Sequence, residues 1–111
     1  MPRTSPLLGH YYDPKHGGCL RFIRPLGPNQ CVIDGVYGDD EPHTHSHWWA
    51  EITVLSRGSY SWKLQVDFRG KPTKRDRFLT ATYHPRRREI RWCDGNTWRQ
   101  LYTHASQLQA V

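Results

Sequence analysis

Between Ser59 and Phe68 the chain alternates without a break. Tyr60, Trp62, Leu64, Val66 and Phe68 occupy every second position, and Ser59, Ser61, Lys63, Gln65 and Asp67 fill the gaps. Successive strand side chains point to opposite faces, so this stretch predicts a β-strand with one apolar and one polar face. A helix would scatter the five large residues around its surface. Neighbouring segments repeat the pattern. His47–Ser56 carries Trp48, Ala50, Ile52 and Val54 on one face, and Trp49, Glu51, Thr53 and Leu55 on the other. Leu79, Ala81 and Tyr83 are in phase within Arg77–His84, Ile90 and Trp92 within Arg88–Cys93, and Trp98 and Tyr102 within Asn96–Tyr102. Upstream, Leu8–Tyr12, Cys19–Arg24 and Gln30–Tyr37 predict three further strands. Gly35, inside the last of these, suggests a bulge or a bend.

Turn chemistry separates these runs. Asp13–Gly18 opens on Asp-Pro and closes on paired glycines, Pro25–Asn29 holds two prolines, and Gly38–Ser46 is polar throughout. Arg57-Gly58 and Asp94-Gly95 are tight hairpin signals, Arg69–Asp76 is a long basic loop, and Pro85–Arg87 reverses the chain. Residues 1–7 read as a loose N-terminus and 103–111 as a tail. Eight short strands without a helical pattern predict an all-β fold over residues 8–102, a small antiparallel up-and-down barrel or a sandwich. Closure leaves no exposed sheet edge, which favours the barrel.

A length of 111 residues fits one domain. Only 36% of the residues are hydrophobic but 13% are aromatic, so a few large rings must build the core. The net charge of +6 admits nucleic acid, anionic surfaces or acidic ligands as partners. Cys19, Cys31 and Cys93 form no C-x-x-C pair, and an odd count argues for free thiols over a disulfide framework. The start of the chain lacks the apolar core of a signal peptide, and no apolar run is long enough to span a membrane as a helix. A soluble intracellular protein is the expectation.

Four short motifs occur in order: G-x-Y-x-D-P-x-H at Gly9–His16, G-x-x-R at Gly18–Arg21, V-D-F-x-x-K at Val66–Lys71, and I-x-W-x-D-G-N-x-W at Ile90–Trp98. In these the chain resembles an uncharacterised family of small β-rich domains found in microbial and algal sequences. The chain departs from that pattern at Arg69-Gly70, where the family tends to continue with Ser-Pro. The resemblance implies an all-β domain and carries no assigned activity.

Chemistry-bearing groups are few. His43, His45 and His47 alternate, and imidazoles suit zinc and other transition metals. On a straight strand, however, they would stand about 6.6–7 Å apart, too far for one ion without a bend. Asp39, Asp40 and Glu41 precede them and read as a loop tip. No nucleophile elbow, phosphate-binding loop or dinucleotide fingerprint is present, and no enzyme class is indicated. The basic clusters are Arg69/Lys71/Lys74/Arg75/Arg77 and Arg86/Arg87/Arg88.

In a meander, successive connections alternate between the two barrel ends. Loops 13–18, 38–46, 69–76 and 94–95 should share one end, and loops 25–29, 57–58 and 85–87 the other. The first end collects His16, Asp39, Asp40, Lys71, Lys74 and Asp94, the candidate ligand-binding residues, together with the candidate metal ligands His43, His45 and His47. The two basic clusters should lie a strand length apart, roughly 26 Å, well beyond a Debye length of about 8–10 Å. The leading expectation is therefore a non-enzymatic binding module for a small molecule or a protein, with its site at the loop-rich end. A metal site on the histidines comes second, and single-stranded nucleic acid bound through the basic loops comes third.

Overall fold

The computed structural model describes residues 5–16, 20–36, 47–71 and 74–101. Eight antiparallel strands, paired in chain order, close into a barrel. They are β1 (Gly9–Tyr12), β2 (Leu20–Gly27), β3 (Gln30–Val36), β4 (His47–Arg57), β5 (Trp62–Gly70), β6 (Phe78–His84), β7 (Glu89–Trp92) and β8 (Thr97–Gln100). Tyr11 opposite Gln100 and Tyr12 opposite Arg99 join β1 to β8 and complete the circle. The up-and-down order follows from the short connections, each of which returns the chain beside the strand it has just left.

Period-two alternation sends one residue in two inward. Ile23 from β2, Cys31 and Ile33 from β3, Ala50 and Ile52 from β4, Leu64 and Val66 from β5, and Ile90 from β7 form the apolar centre. Trp48, Trp62, Phe68, Trp92 and Trp98 fill the space towards the ends. With so few aliphatic residues, these rings supply much of the buried area, at about 150–250 Å² each. Trp62 meets the edge of Tyr83 at 5.5 Å between centroids, the tilt favoured by ring quadrupoles.

Two glycines make the cross-strand packing of the tryptophans feasible. Gly35 pairs directly with Trp48, and a Cβ there would stand 2.3 Å from the indole. The ring covers bare backbone on the inner face. Gly70 pairs with Trp49 and accommodates its ring in the same way. Gly35 is therefore not a bulge. The irregularity between β2 and β3 falls between Pro25 and Gly27, where proline has no N–H for the ladder.

One end of the barrel is stoppered. Ser5–Leu7 form a 3-10 turn, and the Leu7 side chain is fully buried. The stretch expected to be loose is thus anchored at least from Ser5. Tyr11 donates to Leu7 O at 2.7 Å. Tyr83 shares its hydroxyl proton between Pro6 O at 2.6 Å and Gln100 Oε1 at 2.9 Å. Gln100 Nε2 donates to Pro6 O and Leu8 O, both at 2.8 Å. Burial pushes the Tyr83 phenol up to about 12, so it remains a proton donor at neutral pH.

The strand from which the reading began is shorter than its alternation suggests. Gly58 N–H donates to Ser61 O at 2.9 Å, so residues 58–61 are the hairpin turn. Tyr60, expected in the core, lies in that turn and is 74% exposed. Trp62 opens β5 and is 8% exposed. Cys31 and Cys93 are free thiols, and Cys19 lies outside the described residues. Among the described residues no helix is long and apolar enough to cross a membrane.

Trp62→Ala should lower unfolding free energy by about 3–5 kcal/mol, whereas Tyr60→Ala should change it by less than about 1 kcal/mol. Denaturant unfolding monitored by circular dichroism measures both. Equal costs would mean that the turn has been misplaced.

Candidate functional site

Among the described residues, the end opposite the stopper is built from the β1–β2, β5–β6 and β7–β8 connections and the adjoining strand ends. Its centre is a buried charge. Arg21 sits on the inward phase of β2, two residues before Ile23, and is 2% exposed. Its guanidinium lies between two indoles, 4.9 Å from the Trp48 ring centre and 5.6 Å from that of Trp98. Its Nη1 donates to Val36 O at 2.9 Å. Its Nη2 faces Asp13 Oδ2 at 3.5 Å, and Asp13 is as buried as Arg21.

Asp13 ties the loops together. Its Oδ1 accepts the Lys15 N–H at 3.0 Å and Asn96 Nδ2 at 2.9 Å. Asn96 is buried and comes from the β7–β8 turn. That turn forms because Asp94 Oδ1 accepts the Asn96 N–H at 2.9 Å and Gly95 takes a φ of +92°, a region glycine enters without penalty. One carboxylate thus joins two loops distant in sequence to the guanidinium inside the barrel.

A row of rings forms the floor. Trp48 and Phe68 are 6.0 Å apart, Phe68 and Trp92 5.7 Å, and Trp92 and Trp98 4.8 Å. Two half-buried lysines of the β5–β6 loop lean over it. Lys71 Nζ is 4.4 Å from the centre of the Trp48 ring, and Lys74 Nζ is 5.2 Å from that of Phe68. An ammonium over an aromatic face is attracted by the ring quadrupole. The basic cluster therefore divides. Arg77 clamps Asp67 on the outer wall, at 2.9 Å and 3.2 Å, and holds that carboxyl below its usual range. Arg69 pairs with Glu51. Lys71 and Lys74 turn inward.

These groups enclose a chamber of about 70 Å³, which His16 and Asp94 also line. Four of the six residues expected to bind ligand, His16, Lys71, Lys74 and Asp94, are thus brought together there. Asp39 and Asp40 lie outside the described residues, as do His43 and His45. His47 is exposed on the outer wall, with its Nε2 3.2 Å from Asp34 Oδ1, and Arg24 Nε holds the other oxygen of that carboxylate at 2.6 Å. Alternation requires this placement, because Trp48 points inward. Among the described residues no group of three His, Cys, Asp or Glu side chains stands close enough to hold one metal ion.

Asp13, Arg21, Asn96 and the flanking tryptophans were not among the expected site residues. Asp13 reads as a turn former, and Trp92 and Trp98 read as core. One sequence signal was available: an arginine in phase with Ile23 on a strand whose inward positions are otherwise apolar. The chamber also collects the motif residues, namely Asp13 and His16 from the first, Arg21 from the second, and Trp92, Asp94, Asn96 and Trp98 from the last. A larger furrow of about 410 Å³ runs along the outer wall past Leu55, Lys63, Thr80, Thr82, Arg91 and Cys93. Among the described residues that line it, none is a buried ionic or amide side chain. Compared with known proteins, the chain matches no family model, no curated protein and no solved structure.

Asn96→Ala removes a donor from a buried carboxylate and should cost about 1.5–3 kcal/mol, as for a hydrogen bond to a charged group. Urea unfolding gives the value. A change below about 0.5 kcal/mol would mean that the loops are joined by something else.

Proposed function

We propose that this protein is a non-enzymatic binding module whose site is the chamber at the loop-rich end of the barrel. The observation that carries this reading is convergence. Side chains from three separate connections, together with the inward-facing Arg21, meet around one small space over an aromatic floor. Binding sites commonly lie at barrel mouths, where loops on a rigid scaffold bring together a few polar groups above an apolar surface. At the opposite end Leu7 is buried and held by the Tyr11 hydroxyl.

The two basic clusters favour this reading over a nucleic-acid surface. The β5–β6 loop and the β6–β7 turn lie at opposite ends of β6, whose seven residues cover about 23 Å. Charges so far apart do not act as one phosphate-tracking patch at ordinary salt.

The test is a mixture screen on ¹⁵N-labelled protein, using a chemically broad set of small molecules. A binder should shift the resonances of Lys71, Lys74, Asp94 and the Trp92 indole, and leave Tyr60 and Arg86 unmoved. Shifts clustered instead at Leu55, Thr80 and Thr82 would assign the site to the outer furrow and refute the proposal.

A further inference from the structure

We infer that the rim of turns at the stopper end docks the protein on an anionic phospholipid surface, with arginines meeting headgroup phosphates and Tyr60 and Leu26 entering the headgroup layer. This end lies away from the chamber, so the docking is independent of what the chamber binds. Three observations lead to it. The first is that three turns form one rim. Arg57, at the end of β4, donates from Nη1 to Asn29 Oδ1 at 2.8 Å and from Nη2 to Pro28 O at 3.2 Å, which ties the β4–β5 turn to the β2–β3 turn. The Arg86 guanidinium lies 5.8 Å from the centre of the Tyr60 ring, which brings the β6–β7 turn against the β4–β5 turn. A planar surface can meet the three turn tips together.

The second observation is uncompensated charge. On the barrel wall Arg24 pairs with Asp34, Arg69 with Glu51, Arg77 with Asp67 and Arg91 with Glu89. Among the described residues no carboxylate pairs with Arg57, Arg86 or Arg87, and all three side chains are exposed. The acceptors of Arg57 are neutral, and Arg86 meets a ring face. Within the turns and the residues flanking them, 26–31, 57–62 and 84–89, Glu89 is the only acid, and Arg91 holds it. The sequences 1–4 and 102–111, which adjoin this end, add no Asp or Glu. Burial, together with the charges of Arg91 and Arg87, holds the nearby His84 imidazole below its ordinary value despite Glu89. An anionic leaflet attracts arginines within a Debye length of its surface, and the guanidinium fork matches phosphate oxygens.

The third observation is apolar exposure on the same rim. Tyr60 is 74% exposed and Leu26 is 51% exposed. Interfacial binding combines insertion of apolar side chains with attraction to anionic lipid, and a tyrosine, with an apolar ring and a polar tip, suits the headgroup level. A nucleic-acid strand fits less well. It needs successive rings on which to stack its bases, whereas Tyr60 is the only aromatic residue within the turns 28–29, 58–61 and 85–88, and Leu26 offers a strand nothing.

The experiment is co-sedimentation of the full chain with vesicles of phosphatidylcholine and phosphatidylserine, about two to one, and with vesicles of phosphatidylcholine alone. The expected result is salt-sensitive binding to the mixed vesicles and none to the neutral ones. Arg86→Gln and Arg87→Gln should each weaken binding about fivefold, which is about 1 kcal/mol for each charge. Arg75→Gln removes the same charge from the exposed β5–β6 loop at the other end and should change binding by less than about twofold. Leu26→Ser and Tyr60→Ser should each weaken it about threefold or more, with circular dichroism confirming that every variant is folded. No binding to the mixed vesicles at low salt would overturn the inference. So would equal losses for Arg75→Gln and Arg86→Gln, since net charge alone would then be at work, or binding unchanged in both Leu26→Ser and Tyr60→Ser. In ¹⁵N spectra, oligothymidylate moving Tyr60 and Arg86 at a lower concentration than the mixed lipid would make the rim a nucleic-acid surface and overturn the lipid assignment.

Discussion

A guanidinium that is 2% exposed cannot persist inside a barrel without a counter-charge and hydrogen bonds, because an isolated buried charge costs several kcal/mol even after relaxation. Arg21 meets this demand with Asp13, with the Val36 carbonyl and with the faces of Trp48 and Trp98. Much of the architecture of the loop-rich end follows from it. Asp13 must stay buried beside Arg21, so the β1–β2 connection folds inward. The second oxygen of Asp13 needs donors, and Asn96 and the Lys15 amide provide them. Trp48 must lie flat across the inner wall to face the guanidinium, and it can do so because Gly35 has no side chain.

The two ends of the barrel are closed by different physics. At one, Leu7 is inserted as an apolar stopper and the hydroxyls of Tyr11 and Tyr83 hold the backbone that carries it. At the other, an ion pair, an amide and a row of tryptophans surround a small space. A buried ion pair is weak evidence for stability, because apolar residues of similar volume often serve as well.

Strand alternation was readable wherever a run was long. Trp48, Ala50, Ile52 and Val54, and likewise Leu64, Val66 and Phe68, face inward as their spacing demands. Tyr60 was misread because alternation does not say where a hairpin closes. Ser59, Tyr60 and Ser61 continue the pattern, and only the Gly58–Ser61 hydrogen bond reveals the turn. His16, Lys71, Lys74 and Asp94 could be gathered at one end from topology alone, since a meander fixes which loops are neighbours. Arg21 could not be placed, because its burial depends on Asn96, which lies far along the chain, and on a glycine–tryptophan pair whose register no local pattern specifies. Gly35 itself was legible as unusual, but its reason, the indole of Trp48, belongs to the partner strand.

The central claim is that the Asp13–Arg21 pair acts as one unit that organises the loop-rich end. A double-mutant cycle on unfolding free energy tests it most directly. Asp13→Asn and Arg21→Met should each cost about 3–5 kcal/mol, because each leaves a buried partner unanswered, and the double variant should cost far less than the two together. Single costs that simply add, to within about 0.5 kcal/mol, would show that the two residues do not depend on one another and would contradict the account.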